Sequence, residues 1–309
     1  RDIVARANWR ERQRGPVYLD ARPIGESFAE QLAHGGMNLV LVARSEDRLE
    51  KTAIQLRTQY AVQVRVLPLD LTEPISAVTL DLETLVLDGG LLISNAAVEQ
   101  RGAFLRHSTD ELRRVIDLNV MTPTELGQRF GSRFVRRGTG GIIFVSGSIA
   151  YQAVPYLANY AATKAHQVLL AEALYYELRR HGVDVLGLSP GLTRTPMVGR
   201  LERSIRFGRI GMRQLRPEYV ARVGLRQLGR RPSVVVGLQY KVFAMLTKRV
   251  LSRARGAWLF GTLVRLAFGD KTMLDPGHDV IGSSQNSSDL PDPTTARQLR
   301  NECVLACHK

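Results

Sequence analysis

Short apolar, β-branched segments recur along this chain, each separated from the next by a longer stretch of helical periodicity. That alternation restricts the fold more than any other feature. Residues 38–43, 62–69, 90–94, 141–145 and 183–188 read as strands. Between them, 24–34, 46–60, 109–122, 125–136 and 159–181 repeat their apolar residues at helical spacing. Strands joined through helices pair in parallel, and strands that are apolar almost throughout fit a sheet covered on both faces. The expected fold is a doubly wound parallel α/β sheet, with ligands bound beyond the carboxyl ends of the strands. The longest uncharged run, 139–163, is long enough to cross a bilayer. It contains Gln152, Pro155, Asn159 and several hydroxyls, so it is assigned to the protein interior.

Charge is concentrated in one place. Of the formal +14, residues 24–198 contribute almost nothing, with 17 basic and 18 acidic side chains, whereas 199–271 hold 17 basic and 3 acidic. A neutral core with a basic C-terminal layer is therefore expected, and a uniformly basic chromatin-type protein is excluded. The two cysteines, Cys303 and Cys307, are too few for a disulfide framework and lack zinc-site spacing, so no metal is expected. Residues 1–14 are Arg-rich without a signal-peptide pattern, and the expected location is cytoplasmic.

One constellation carries chemistry. Tyr160 and Lys164 lie i, i+4 near the start of a helix, which puts phenol and ammonium on one face, a turn apart. A lysine beside a tyrosine favours the phenolate and suits the phenol to general acid–base work. Ser148 follows the preceding strand, where its hydroxyl can reach a carbonyl oxygen held near Tyr160. Asn95-Ala-Ala97 with Gly102, then Asn119, Ser148, Tyr160-x-x-x-Lys164 and Pro190-Gly191-x-x-x-Thr195 stand in this order along the chain.

In these motifs the chain resembles the short-chain dehydrogenase/reductase family over about residues 24–200. The resemblance implies a Rossmann-type sheet and proton transfer by Tyr160 to or from a carbonyl or alcohol oxygen. Lys164 would lower the Tyr160 pKa and bind the nicotinamide ribose, Ser148 would polarise the substrate oxygen, and Asn119 would hold a relay water. Asn95, Pro190, Gly191, Thr193 and Thr195 would border the cofactor. Ser148 precedes Tyr160 by one residue fewer than is usual in the family, which leaves Ser146 as a fallback. Asp70-Leu71 match the adenine contact. After the second strand stands Arg44-Ser45 with no acid before Glu46, and a guanidinium there favours a 2′-phosphate, hence NADP(H) over NAD(H).

The glycine-rich turn of the family is degenerate. The chain reads Val17-Tyr-Leu-Asp20-Ala-Arg-Pro23-Ile-Gly25, which retains Gly25 alone and looks about three residues short. Segment 1–23 is therefore set apart as atypical, a candidate for a misread start or for an altered, weakly binding loop. The Rossmann domain is expected over 24–236, with 196–207 as its substrate segment. A basic amphipathic helical extension follows over 237–274, then a Pro/Ser-rich tail over 275–309 expected to be disordered. The stretch 240–268 is a candidate peripheral membrane surface; nucleic acid is disfavoured for want of a recognition motif. The expected activity is NADP(H)-dependent interconversion of a carbonyl and a secondary alcohol on a hydrophobic substrate, in a homodimer or homotetramer. The alternative is an impaired relative acting as a binding or membrane-associated module.

Overall fold

The structure, a computed structural model, describes residues 17–20, 23–87, 90–195, 213–249 and 252–268. Seven strands form a single sheet in the order β3-β2-β1-β4-β5-β6-β7, every neighbouring pair parallel. They are β1 (Val17–Asp20), β2 (Leu39–Ala43), β3 (Val64–Pro68), β4 (Leu91–Ser94), β5 (Gly140–Val145), β6 (Val183–Pro190) and β7 (Ser233–Val236). The first half of the sheet is crossed by α1 (Pro23–His34), α2 (Glu46–Tyr60) and α3 (Ser76–Glu83). Then come α4 (Thr109–Ile116), α5 (Thr122–Arg137), α6 (Ala158–Leu178) and α7 (Pro217–Gln227). Two C-terminal helices, α8 (Leu238–Arg249) and α9 (Arg253–Phe268), close the described chain.

The sheet has a core on each face because its strands are apolar on both sides; all six residues of β5 are buried. On one face Phe28, Leu32, Leu49 and Leu56 of α1 and α2 meet Leu41, Ile143 and Leu188, joined by Val220 and Leu225 of α7. On the other, Leu126, Phe130 and Phe134 of α5 and Ala171 and Tyr175 of α6 cover Val40, Leu92, Ile142 and Val185. Among the described residues no helix is long and apolar enough to cross a membrane.

Three differences from the sequence reading bear on the site. Val17–Asp20, inside the segment set apart as atypical, is an interior strand of the sheet, paired on one side with β2 and on the other with β4. Four residues behind an Arg-rich stretch leave too short a pattern to recognise as a strand. The helices expected at 109–122 and 125–136 are continuous, joined through a wide π-type turn at Asp117–Met121. Helix α3 was not anticipated; its buried residues are few and its periodicity weak. The segments 1–16, 196–207 and 275–309, with Cys303 and Cys307, lie outside the described residues.

Candidate active site

Parallel strands deliver their carboxyl ends to one edge of a sheet, and this edge collects the motifs. Arg44 and Ser45 follow β2, Asp70 and Leu71 follow β3, Asn95 follows β4, Ser146 and Ser148 follow β5, and Gly191 follows Pro190 at the end of β6.

The centre of the edge is a buried polar network around Lys164, which is 2% exposed. A buried ammonium needs hydrogen-bonding partners. Its Nζ donates to the carbonyl of Val145 at the end of β5 and to Gln167 Oε1, each at 3.0 Å. Gln167 Nε2 donates in turn to the carbonyl of Asn119 at 2.8 Å. That carbonyl is free to accept because Pro123, four residues on, has no N–H to return to it. The π-type turn arises at the same place, a geometry that recurs at functional sites. The Asn119 side chain is fully used: Oδ1 accepts from Val98 N, while Nδ2 donates to Val98 O and to Thr163 Oγ1. Thr163 Oγ1 donates to the carbonyl of Tyr160 at 2.8 Å. Lys164 Nζ lies 5.9 Å from the centroid of the Tyr160 ring, and that ring is half-buried.

Sequence reasoning paired Asn119 with Lys164 through water. Here the Gln167 side chain spans from one to the other, a residue that reading missed. Two signals pointed to it: a Gln three residues after Lys164 on a helix, and a proline four residues after Asn119.

Two serines compete for the hydroxyl role. Ser146 is buried, and its Oγ donates to the carbonyl of Lys164 at 2.7 Å, so it anchors α6 to β5. Ser148 is half-buried and opens a short 3-10 turn, Ser148–Tyr151. The geometry therefore favours Ser148. A second phenol, Tyr151, stands on that turn. Burial pushes its pKa up against the lowering effect of bonds to Ser189 and Ser233, and its hydroxyl shares a hydrogen bond with Ser189 Oγ at 3.3 Å. A phenol so held stays protonated and fixed. The segment from this turn to α6 reverses at Tyr156, which has φ +66°, a left-handed conformation that costs a non-glycine residue about 1–3 kcal/mol. Gly102 N donates to the Tyr156 carbonyl at 3.0 Å and ties the loop after β4 to this reversal.

On the β6 side, Gly191 lies directly against the ring of Tyr240 from α8; a Cβ at Gly191 would stand 2.1 Å from Tyr240 Cδ2. Thr193 Oγ1 donates to the Gly191 carbonyl at 2.9 Å and is buried there, which makes it a brace for the turn. Thr195 is half-buried at the end of the described segment. Helix α9 reaches the loop between Ser148 and Tyr160. Gly256 allows close approach to Gln152, and Gly261 sits over Pro155.

A family model, "short chain dehydrogenase", matches residues 20–205. The chain belongs to the short-chain dehydrogenase family. It is 30% identical to the 7beta-hydroxysteroid dehydrogenase of Clostridium sardiniense over 74% of this chain and 88% of that protein. It is 29% identical to the enzyme of the same name from Collinsella aerofaciens, over 71% and 83%. Among solved structures, one from a study of 7beta-hydroxysteroid dehydrogenase stereoselectivity superposes with TM-score 0.75 and 27% identity, covering 79% of this chain and 95% of that one. A short-chain dehydrogenase from Sphingobium yanoikuyae in complex with NADPH gives TM-score 0.66 at 27% identity, covering 77% and 96%.

Short-chain dehydrogenases use NAD(P)(H), and the remaining edge residues are of the kind such a dinucleotide needs. Asn95 is buried with its Nδ2 unpartnered beside the carboxyl end of β4, a donor that a ligand there would satisfy. Arg44 is exposed and reaches Asp70 Oδ2 at only 3.8 Å, so its guanidinium is available to an anion. Ser45 stands at the N-cap of α2 without a side-chain capping bond. Leu71 is buried and its carbonyl accepts from Thr122 Oγ1, which fixes the loop after β3. Two residues, outside the described ones, separate Asp20 at the end of β1 from Pro23, where α1 begins. Gly25 is buried in the first turn of α1. The start of α1 still offers its positive end, with one donor fewer at Pro23.

Asp70 also predicts an acid-side effect. Partial burial raises its pKa, but bonds from Thr72 N and Thr72 Oγ1, with Arg44 and Arg114 nearby, outweigh it and hold the carboxyl below its usual range. A depressed carboxyl contributes stability above its unfolded pKa of about 3.9, and that contribution is lost as pH falls through the folded value. Asp70→Asn should therefore flatten the loss of stability below about pH 4 relative to wild type. Urea unfolding midpoints at pH 7 and pH 3 test this; parallel curves for the two proteins would refute it.

Proposed function

We propose that the chain is an NADP(H)-dependent oxidoreductase that interconverts a carbonyl and a secondary alcohol on a hydrophobic, steroid-like substrate. The observation that carries this reading is Lys164, buried and hydrogen-bonded to two elements, with its ammonium one helical turn from the Tyr160 ring. In the reducing direction Tyr160 gives its proton to the carbonyl oxygen, and in the oxidising direction it takes the proton from the hydroxyl. Lys164 stabilises the negative charge left on the Tyr160 oxygen. Ser148 donates a hydrogen bond to the substrate oxygen and orients it. The dinucleotide, when bound, supplies or accepts the hydride at the carbon. Asn119, Gln167 and Thr163 hold Lys164 and Tyr160 in register. The relatives named for hydroxysteroids support a bulky apolar alcohol as substrate.

NADP(H) is preferred because Arg44, exposed at the end of β2, can pair with a 2′-phosphate through charge-assisted hydrogen bonds. Arg44→Ala should weaken NADPH binding about tenfold or more and leave NADH binding nearly unchanged. Titration of nucleotide fluorescence with each cofactor measures both; equal losses would remove the basis for the preference. Pairing as a homodimer or homotetramer is supported by Leu169 and Tyr176, large apolar residues exposed on the outer face of α6. Oxidation of NADPH against a panel of ketosteroids and aliphatic ketones tests the whole reading. The expected result is turnover with the bulky ketones; no turnover with any ketone, in a preparation that binds NADPH, would overturn it.

One observation favours a second reading. With two residues between β1 and α1, one helix-start donor missing and Gly25 the sole family glycine there, the chain as written would bind dinucleotide weakly. Micromolar NADPH affinity would dismiss that reading.

A further inference from the structure

Helices α8 and α9 form a pair that leaves several large apolar residues exposed. They touch through Phe243 and Phe260, whose rings meet edge to face at 4.8 Å. On α8 the inward side is Tyr240 and Ala244, both buried. Its solvent side carries Leu238, Val242, Met245 and Leu246, exposed by 77%, 45%, 52% and 40%. Trp258 of α9 is 69% exposed. Water disfavours so many large apolar groups on two adjacent helices, and such a surface calls for an occupant.

The charge of the same region identifies the occupant. Between Arg213 and Phe268 the chain has a single acid, Glu218, against a dozen Arg and Lys. On the helices themselves the basic residues are Lys241, Lys248, Arg249, Arg253, Arg255 and Arg265, with no acid. Lys241 and Arg255 are exposed beside Val242 and Trp258. A second copy of the chain is a poor partner, because a two-fold interface would bring a helix pair with six basic residues and no acid against its own copy. Nucleic acid would leave the aliphatic residues of α8 unburied. An anionic bilayer satisfies both demands, taking the basic side chains among its headgroups and Leu, Val, Met and Trp at the acyl boundary. Helix α8, at 12 residues, and α9, at 16, are too short to span a bilayer and are suited to lie on it.

We propose that the α8–α9 pair is a docking surface for anionic lipid bilayers, set against the loop that joins Ser148 to Tyr160. The position follows from Gly256 against Gln152 and Gly261 against Pro155. A docked bilayer therefore lies next to the rim of the candidate active site. The binding itself does not depend on the oxidoreductase reading.

The test uses the full chain and vesicles of phosphatidylcholine with or without phosphatidylglycerol. Trp9 and Trp258 are the two tryptophans, so a Trp9→Phe background makes Trp258 the fluorescent reporter. The expected result is co-sedimentation with the anionic vesicles at low salt and at least about tenfold weaker binding to the neutral ones. Binding should weaken in 0.5 M salt, as roughly expected for screened headgroup contacts, and Trp258 emission should shift to the blue. Val242→Glu with Met245→Glu, both at exposed positions, should reduce binding by about tenfold with an unchanged melting temperature, and Lys241→Glu separately should weaken it. Equal affinity for both vesicle types, or no affinity for either, would overturn the proposal. So would binding that Val242→Glu with Met245→Glu leaves intact, duplex DNA binding without vesicle binding, or a dimer that this double variant dissociates while vesicles are ignored.

Discussion

Tyr160→Phe is expected to lower the turnover number by about 10²–10⁴-fold, the range for loss of a positioned general acid, with little change in NADPH affinity. The substitution removes one oxygen and keeps the ring, which stands 5.9 Å from Lys164 Nζ and contributes to the wall around it. The backbone carbonyl of Tyr160, which accepts from Thr163, is unaffected. Folding and cofactor binding should therefore survive, and the loss should fall on turnover rather than on KM for NADPH. Tyr151→Phe is the control. Its hydroxyl lies on the same edge but is half-buried, raised in pKa and engaged with Ser189, so its removal should cost far less turnover. Steady-state NADPH oxidation with a reactive ketone, accompanied by fluorescence titration of NADPH, separates the two effects. Undiminished turnover in Tyr160→Phe, or an equal loss in Tyr151→Phe, would refute the assignment of the proton donor.

What could be read in advance follows a physical divide between local and distant interactions. The alternation of β2, α2, β3, β4, β5, α6 and β6 was legible because β2, β4, β5 and β6 are apolar and buried almost throughout, the edge strand β3 keeps a short β-branched run, and each helix repeats its apolar residues locally. The pairing of Tyr160 with Lys164 was legible for the same reason: four residues on a helix fix the geometry. Strand β1 was not, since Val17–Asp20 is too short to show a pattern and follows an arginine-rich stretch. Nor was the bridge from Lys164 through Gln167 to Asn119, because it needs the π-type turn at Asp117–Met121 to bring that carbonyl round. The basic C-terminal stretch was recognised as amphipathic. That its second helix lies on the loop before Tyr160 depends on contacts between residues about a hundred positions apart, which no local pattern encodes.

The most consequential of those distant contacts joins Pro190-Gly191 to Tyr240, and it sets the second large expected effect. Gly191→Ala should destabilise the protein by about 1–3 kcal/mol, as an overpacked core site does, and weaken dinucleotide binding as well. The added methyl would lie within 2.4 Å of three Tyr240 ring atoms. The ring has little room to retreat: Tyr240 is 2% exposed, and its hydroxyl donates to the carbonyl of Arg213 at 3.2 Å. The other way out moves the Gly191 turn, whose carbonyl is held by Thr193 and whose neighbour Pro190 is paired with Val236 in the sheet. That movement displaces the edge where the nicotinamide would lie, so stability and cofactor affinity should fall together. Tyr240→Ala alone should cost about 3–5 kcal/mol through the cavity it leaves. In the double variant the methyl enters that cavity, so the combined loss should be smaller than the two single losses added, by about 0.5–3 kcal/mol. Urea unfolding of the four proteins measures this coupling. Additive losses would mean that Gly191 and Tyr240 act independently, and that the C-terminal helices are not keyed to the catalytic edge through this pair.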